Sequence, residues 1–440
     1  MKTKILLMLM ITSLLSVNNA LPQTPPQKAH AEILPNDFSD AAFAHIVYLA
    51  GLGHRHVGTE NDQQAIRYIK NQFDKMNMEI EIQPFEFEAF EYTKTSLVIG
   101  GESFNLSGLG LNPFKLNKEY EGTALLVDLS QAEIPYTQQE TEGKTIIAND
   151  WNAHFRLLQY KPGLIIYLEP LEFEKTKTQP DLRYKLDIEG SFIKYRSANI
   201  IGKVGKNRSC SKEIIISAHF DTYGKNNPGA SDNASGVGVL LELARAFKAN
   251  ESDLNCAVKF IALGAEEVGV VGSRNYLEDN ASSLQDCELL FNIDNVGGNA
   301  SIVIEIDGGV RGIPEKKGIS QIPDTLKTCS WEGISSKWRI LMDDDLAKIM
   351  GVSNHPQWLV DVVNKSLEDL GYSFRTAQNL GSDQLAFAQA GIVACGLGIM
   401  NQDSHTSQDV PEKINKNSLK RAGEITARVV MNSLKRLNEK

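Results

Sequence analysis

Residues 213–222, Glu213-Ile214-Ile215-Ile216-Ser217-Ala218-His219-Phe220-Asp221-Thr222, hold an apolar strand that ends on an imidazole and a carboxylate. A short unbroken apolar run bounded by polar turns reads as a strand buried on both faces, the kind found in parallel sheets. Residues 235–248 follow with helical spacing, with Val237, Leu240, Leu241, Leu243, Ala244 and Phe247 along one stripe. Three more buried strands are expected at Ala257–Leu263, Leu289–Ile293 and Ile392–Leu397. Strands alternating with helices predict an α/β fold with a mostly parallel central sheet flanked by helices.

Ionisable residues stand directly after these strands. His219 and Asp221 follow the first, Glu266 and Glu267 the second, and Asp294 the third. His405 lies in the loop beyond the fourth, and Asp232 lies before the helix at 235–248. Open α/β sheets bind ligands at the carboxyl ends of their strands, so groups far apart in sequence can converge there. Imidazoles with carboxylates, and no serine or cysteine nucleophile motif, suit a divalent metal such as zinc, cobalt or manganese. A carboxylate with two oxygens can bridge a metal pair, which would activate a bridging water. Each residue also has a plain reading. A histidine after a strand is commonly a core or surface residue, Glu266-Glu267 a solvated turn, and Asp232 a helix N-cap. Their joint placement at strand ends is what favours a site.

Outward from this core, residues 419–437 form an amphipathic C-terminal helix. Toward the N-terminus, Ala41 to Met76 has helical spacing interrupted by Gly51-Leu52-Gly53 and Gly58-Thr59, which predicts two helices. Glu79 to Phe87 alternates apolar and charged residues as a half-exposed strand does. Residues 93–196 show short apolar runs between turns and one possible helix near 151–160, so they are expected to form a mainly β insertion. The expected division is therefore 1–31, 32–92, 93–196 and 197–440.

At the N-terminus, Lys2 and Lys4 precede an apolar run from Ile5 to Val17, the plan of a signal peptide. Cleavage is expected after Asn18-Asn19-Ala20 or Ala29-His30-Ala31, giving an exported, periplasmic or secreted chain with no membrane span in its mature form. Five cysteines are scattered without a C-x-x-C pair, so an odd thiol is expected and a cysteine metal site is not. The composition is ordinary for a globular chain of 440 residues, 42% hydrophobic and 23% charged. A net charge of -10 argues against nucleic acid as a partner.

The strings Ala218-His219-Phe220-Asp221-Thr222, Pro228-Gly229-Ala230-Ser231-Asp232-Asn233-Ala234-Ser235-Gly236 and Ala265-Glu266-Glu267-Val268-Gly269 resemble the M28 family of zinc peptidases. So do Gly272-Ser273, Asn292-Ile293-Asp294, Gly381-Ser382-Asp383 and Ser404-His405-Thr406, and Val57-Gly58-Thr59-Glu60 resembles the family's opening segment. The resemblance covers residues 197–440 and implies a zinc-exopeptidase fold with two zinc ions per chain. It implies that His219 and Asp294 bind one zinc, Glu267 and His405 the other, and that Asp232 bridges them. By the same resemblance Glu266 is the general base, Asp221 holds the ring of His219, and Asp232–Asn233 is a candidate cis peptide. Asp383 would be a group near the site.

The implied activity is release of N-terminal residues from peptide substrates. Carboxypeptidase and glutaminyl cyclase are the alternatives on the same fold, and a non-catalytic binding protein is a third. No cluster of arginines stands ready for a substrate carboxylate, which favours the N-terminal reading. The 93–196 insertion sits where many family members carry a protease-associated domain. Asn295 and the long segment 300–380 depart from the commonest family pattern, and the latter is expected to shape the substrate pocket.

Overall fold

The computed structural model describes residues 33–111, 119–149, 155–158, 160–205, 210–224, 226–311, 352–378 and 380–438. The expected signal segment, Cys329 and most of the expected pocket-shaping segment lie outside the described residues.

The strand at the centre of the main sheet is the one on which the sequence reading rests. Labelled in chain order, the strands used below are β1 (Glu79–Ile99), β2 (Arg183–Val204), β3 (Glu213–His219), β4 (Ala257–Leu263), β5 (Cys287–Ile293), β6 (Ile302–Glu305), β7 (Phe374–Ala377) and β8 (Ala394–Gly398). They lie in the order β7-β6-β8-β5-β3-β4-β2-β1 within a ten-stranded sheet completed by Glu102–Phe104 and Glu119–Thr123. The four strands from β8 to β4 run parallel. On either side, β2 pairs antiparallel with β4 and β6 antiparallel with β8. The α/β expectation is borne out, with a sheet that is parallel at its centre and mixed toward its edges.

Every residue of β3 is buried, because helices cover both faces of the sheet. Ile214 and Ile216 join a core with Leu240 of α3 (Ser235–Ala249), Leu49 of α1 (Phe38–Gly51) and Val429 of the C-terminal helix (Lys416–Asn438). Ile215, between them, enters a separate core with Tyr276 of Val271–Asp279 and Phe387 of Gln384–Gln389. This division follows from the two-residue period of a strand. Burying each isoleucine contributes roughly 1.5–3 kcal/mol. Truncating Ile215 to alanine would cost about 2–5 kcal/mol, because a close-packed core collapses only partly around the gap. The second helix, α2 (Glu60–Lys75), begins with the Thr59 side chain accepting the Asp62 N–H, a standard N-cap.

The strand expected at Glu79–Phe87 runs on to Ile99. It pairs with β2 along its length, from Glu79 opposite Lys203 to Ile99 opposite Tyr184, as a long antiparallel ribbon. Ala89 to Tyr92 breaks the apolar–polar alternation, so the sequence pattern alone stopped short. At the far end of the ribbon, Leu106–Leu111, Leu125–Val127, Thr145–Ala148 and Leu164–Leu168 form a four-stranded sheet. Ile147, Ile166 and Phe173 fill its core with Leu97 and Leu186 from the ribbon. Only Phe155–Leu158 is described as helical within the helix expected near 151–160.

Cys210 and Cys256 form a disulfide, a pairing with no spacing signal in the sequence. They precede β3 and β4, adjacent parallel strands whose starts lie side by side, which brings their Cα atoms to 5.1 Å. Cys287 and Cys395 remain thiols. Among the described residues no helix is long and apolar enough to cross a membrane.

Candidate metal centre

The parallel arrangement of β3, β4, β5 and β8 brings their carboxyl-end loops to one edge of the sheet. His219 ends β3, and its Nε2 lies 3.3 Å from Asp294 Oδ1, just past β5. The same nitrogen lies 3.4 Å from Asp232 Oδ1 and 4.0 Å from Glu266 Oε2. His405 Nε2 lies 3.1 Å from Asp232 Oδ2 and 3.4 Å from Glu267 Oε2. Asp232 thus turns one oxygen to each imidazole. Single donor atoms of His219, Asp232 and Glu267 all lie within 4.8 Å of one another. The Asp232–Asn233 peptide is cis.

The fold brings together His219, Asp232, Glu266, Glu267, Asp294 and His405, with Asp221 directly behind them. Asp221 Oδ1 lies 3.5 Å from His219 Nδ1, long for a hydrogen bond. Its shorter contacts are with the next loop: the main-chain N–H groups of Glu266 and Glu267 donate to Oδ1 and Oδ2, both at 3.0 Å. Asp221 therefore fixes the turn that presents the two glutamates, and its contact with the ring of His219 is secondary. Asp383 accepts a short hydrogen bond from Ser273 Oγ, and burial raises its pKa to about 7.

Two supports went unread in the sequence. Asp409 accepts the N–H groups of Ser231 at 2.8 Å and Asp232 at 3.0 Å, clamping the turn that carries Asp232. Arg55 is fully buried and donates to four main-chain oxygens: Phe220 at 2.8 Å, Leu49 at 3.1 Å, Pro228 at 2.6 Å and Gly229 at 2.9 Å. Burial depresses its pKa to about 10 against the opposing pull of Asp409, Asp221, Asp232 and Glu267. For Arg55 the one available signal was a charged residue within the opening Gly53-His54-Arg55-His56 turn. Asp409 had none.

The electrostatics of the cluster fit a cation. Burial works to lower the pKa of His219, but the charges of Asp294 and Glu266 raise it well above the usual value. His405, whose side chain is 38% exposed, is likewise raised by the facing carboxylates Glu267 and Asp232. Asp232 is depressed despite burial because both imidazoles face it. Glu266, by contrast, is pushed well up by burial, with help from the charge of Glu267. Four carboxylates and two imidazoles converge here, and nitrogen and oxygen donors of this kind accommodate a divalent metal.

Comparison with known proteins places the fold among those of peptidases. Residues 199–317 match the family described as Peptidase family M28. The aminopeptidase YwaD of Bacillus subtilis (strain 168) is 25% identical over 458 residues, covering 96% of this chain and 88% of its own length. An aminopeptidase from Aneurinibacillus sp. strain AM-1 superimposes with a TM-score of 0.63 at 19% identity, covering 89% of this chain and 93% of its own. The zinc aminopeptidase BSAP from Bacillus subtilis gives 0.60 at 20% identity, covering 91% and 96%. The resemblance read from the motifs is borne out.

Proposed function

We propose that this chain, a peptidase of the M28 type, is an aminopeptidase that releases N-terminal residues from peptides with the help of zinc. His219 and Asp294 would hold one ion, His405 and Glu267 a second, and Asp232 would hold both. The observation that carries this reading is the two-sided placement of Asp232, with Oδ1 3.4 Å from His219 Nε2 and Oδ2 3.1 Å from His405 Nε2. A carboxylate facing both ways suits metals roughly 3.5–4 Å apart.

Zinc in such a site polarises the scissile carbonyl and lowers the pKa of water. Glu266 takes the proton of the attacking water on its carboxylate and delivers it to the departing amine. Its raised proton affinity favours the first half of that transfer, uptake of the proton. Asp221 keeps Glu266 in place through the main-chain N–H. The likeness to YwaD supports the aminopeptidase reading. A disulfide at Cys210–Cys256 supports an oxidising compartment, in keeping with export.

The test is a substrate panel with zinc counting on the purified protein. Chelator-sensitive cleavage of unblocked aminoacyl substrates is expected, restored by two zinc ions per chain. Activity confined to N-acylated peptides would replace the reading with a carboxypeptidase. Cyclisation of N-terminal glutamine at one zinc would replace it with a glutaminyl cyclase. Saturation at one zinc during peptide hydrolysis would remove the bridging role of Asp232.

A further inference from the structure

Asn295 is not among the proposed ligands, and its surroundings give it work that none of them performs. It follows Asp294 with φ at 55°, a left-handed conformation that asparagine tolerates better than most residues. Its side chain is buried. Oδ1 accepts from Ser231 Oγ at 2.6 Å and from the Asn401 N–H at 3.2 Å. Because a main-chain N–H can only donate, this contact fixes which end of the amide is oxygen. Nδ2 then donates to Ser404 Oγ at 2.6 Å, and Ser404 Oγ donates to the Asn401 carbonyl at 2.8 Å. The three groups close a ring of hydrogen bonds. On the main chain, the Asn295 N–H donates to Asn233 Oδ1 at 3.1 Å, and its carbonyl accepts from the Ile399 N–H at 3.0 Å.

Each partner is the immediate neighbour of a proposed ligand or belongs to its loop. Ser231 and Asn233 flank Asp232, Ser404 precedes His405, and Asn295 itself follows Asp294. One amide therefore spans the residues of both proposed zinc positions and the carboxylate between them. We propose that Asn295 is the positioning residue that sets the distance between the two metal positions by tying the Asp294, Asp232 and His405 loops together. The inference rests on the two-zinc reading given above. An amide is required because the site asks one planar group to accept two hydrogen bonds on one end and donate on the other; an aliphatic side chain offers neither.

The experiment compares the parent with Asn295→Gly, which keeps the backbone freedom while removing the amide, and with Ser404→Ala, which cuts the tie to His405 alone. Ser404 is only half-buried, so its variant retains a folded readout should Asn295→Gly fail to fold. Zinc affinity and stoichiometry are measured by competition with a chelator on protein whose near-ultraviolet circular dichroism matches the parent. Expected is a loss of at least tenfold in affinity for the more weakly held zinc in Asn295→Gly, and a smaller loss in the same step for Ser404→Ala. The double variant is expected to lose little beyond Asn295→Gly, because the two changes break one ring. A purely structural asparagine would lower the melting temperature and leave both zinc affinities of the folded protein alone. Parental affinities in either folded variant, or equal weakening of both zinc steps, would overturn the proposal. A parent that binds two zinc ions but cleaves no peptide would sink the aminopeptidase reading and leave this comparison standing. A parent that binds only one would sink both.

Discussion

Arg55 donates its Nε–H to the carbonyl oxygen of Phe220 at 2.8 Å, gripping the residue between His219 and Asp221 from beneath. Its other nitrogens grip Pro228 and Gly229, which lead to Asp232. The planar guanidinium reaches several carbonyls at fixed angles, which a lysine ammonium on a flexible stem cannot reproduce. Arg55→Lys keeps the charge and loses this fork. It is expected to lower stability by about 2–4 kcal/mol, through buried carbonyls left without donors, and to lower zinc affinity in parallel. Chemical unfolding with zinc titration on the same preparations would check both; parental values in both measurements would refute the assignment.

Glu266→Gln retains shape and removes the carboxylate that carries the proton. Peptide turnover is expected to fall by about 10²–10⁴-fold, with the zinc content unchanged, since Glu266 is not among the proposed ligands. Metal analysis beside steady-state kinetics separates the two effects. Lost zinc in this variant would move Glu266 into the ligand set, while unchanged turnover would remove it from catalysis.

Asp62, which is not among the proposed ligands, gives a pH signature of its own. Burial raises its pKa to about 7, against lowering contacts from Ser197, Gly58 and Gln63. The folded chain then holds a proton that the unfolded chain has already released above pH of about 4. Stability therefore falls as the pH rises from about 4 to about 7 and is level above that, by at most about 4 kcal/mol for this group. Chelator-treated Asp62→Asn is expected to show a flatter stability profile than the chelator-treated parent over this window. Identical slopes would show that Asp62 is ionised throughout.

The Cys210–Cys256 bridge joins the starts of β3 and β4, the end of the sheet opposite the proposed site. Replacing both cysteines by alanine is expected to cost about 2–5 kcal/mol while leaving kcat and zinc affinity of the folded protein within about twofold. Melting curves and kinetics on the double variant test this; a change in zinc affinity would show that strand register is transmitted to the site.

Much of the site was legible because its signals are local. Buried strands announce themselves as short apolar runs; His219 closes its strand, and Glu266, Glu267 and Asp294 stand one to four residues past the ends of theirs. The fold class followed from the same runs. The full reach of β1 did not, because alternation lapses at Ala89 to Tyr92 while pairing with β2 continues through the lapse. Asp221 was read as a partner of His219, yet its shorter bonds go to the Glu266 and Glu267 backbone, which no side-chain pattern records.

The sequence by itself determined the buried central strands, the helices beside them and the kinds of side chain at their carboxyl ends, since these depend on residue type and short-range spacing. Only the tertiary structure decided that Asp232 turns one oxygen to His219 and the other to His405. It alone brought Asp409 to Ser231 across 178 residues and Arg55 to Gly229 across 174. Hydrogen-bond partners at such separations leave no periodic trace in a single chain; they exist because packing of the sheet and its helices sets loops from distant segments within 3 Å of one another.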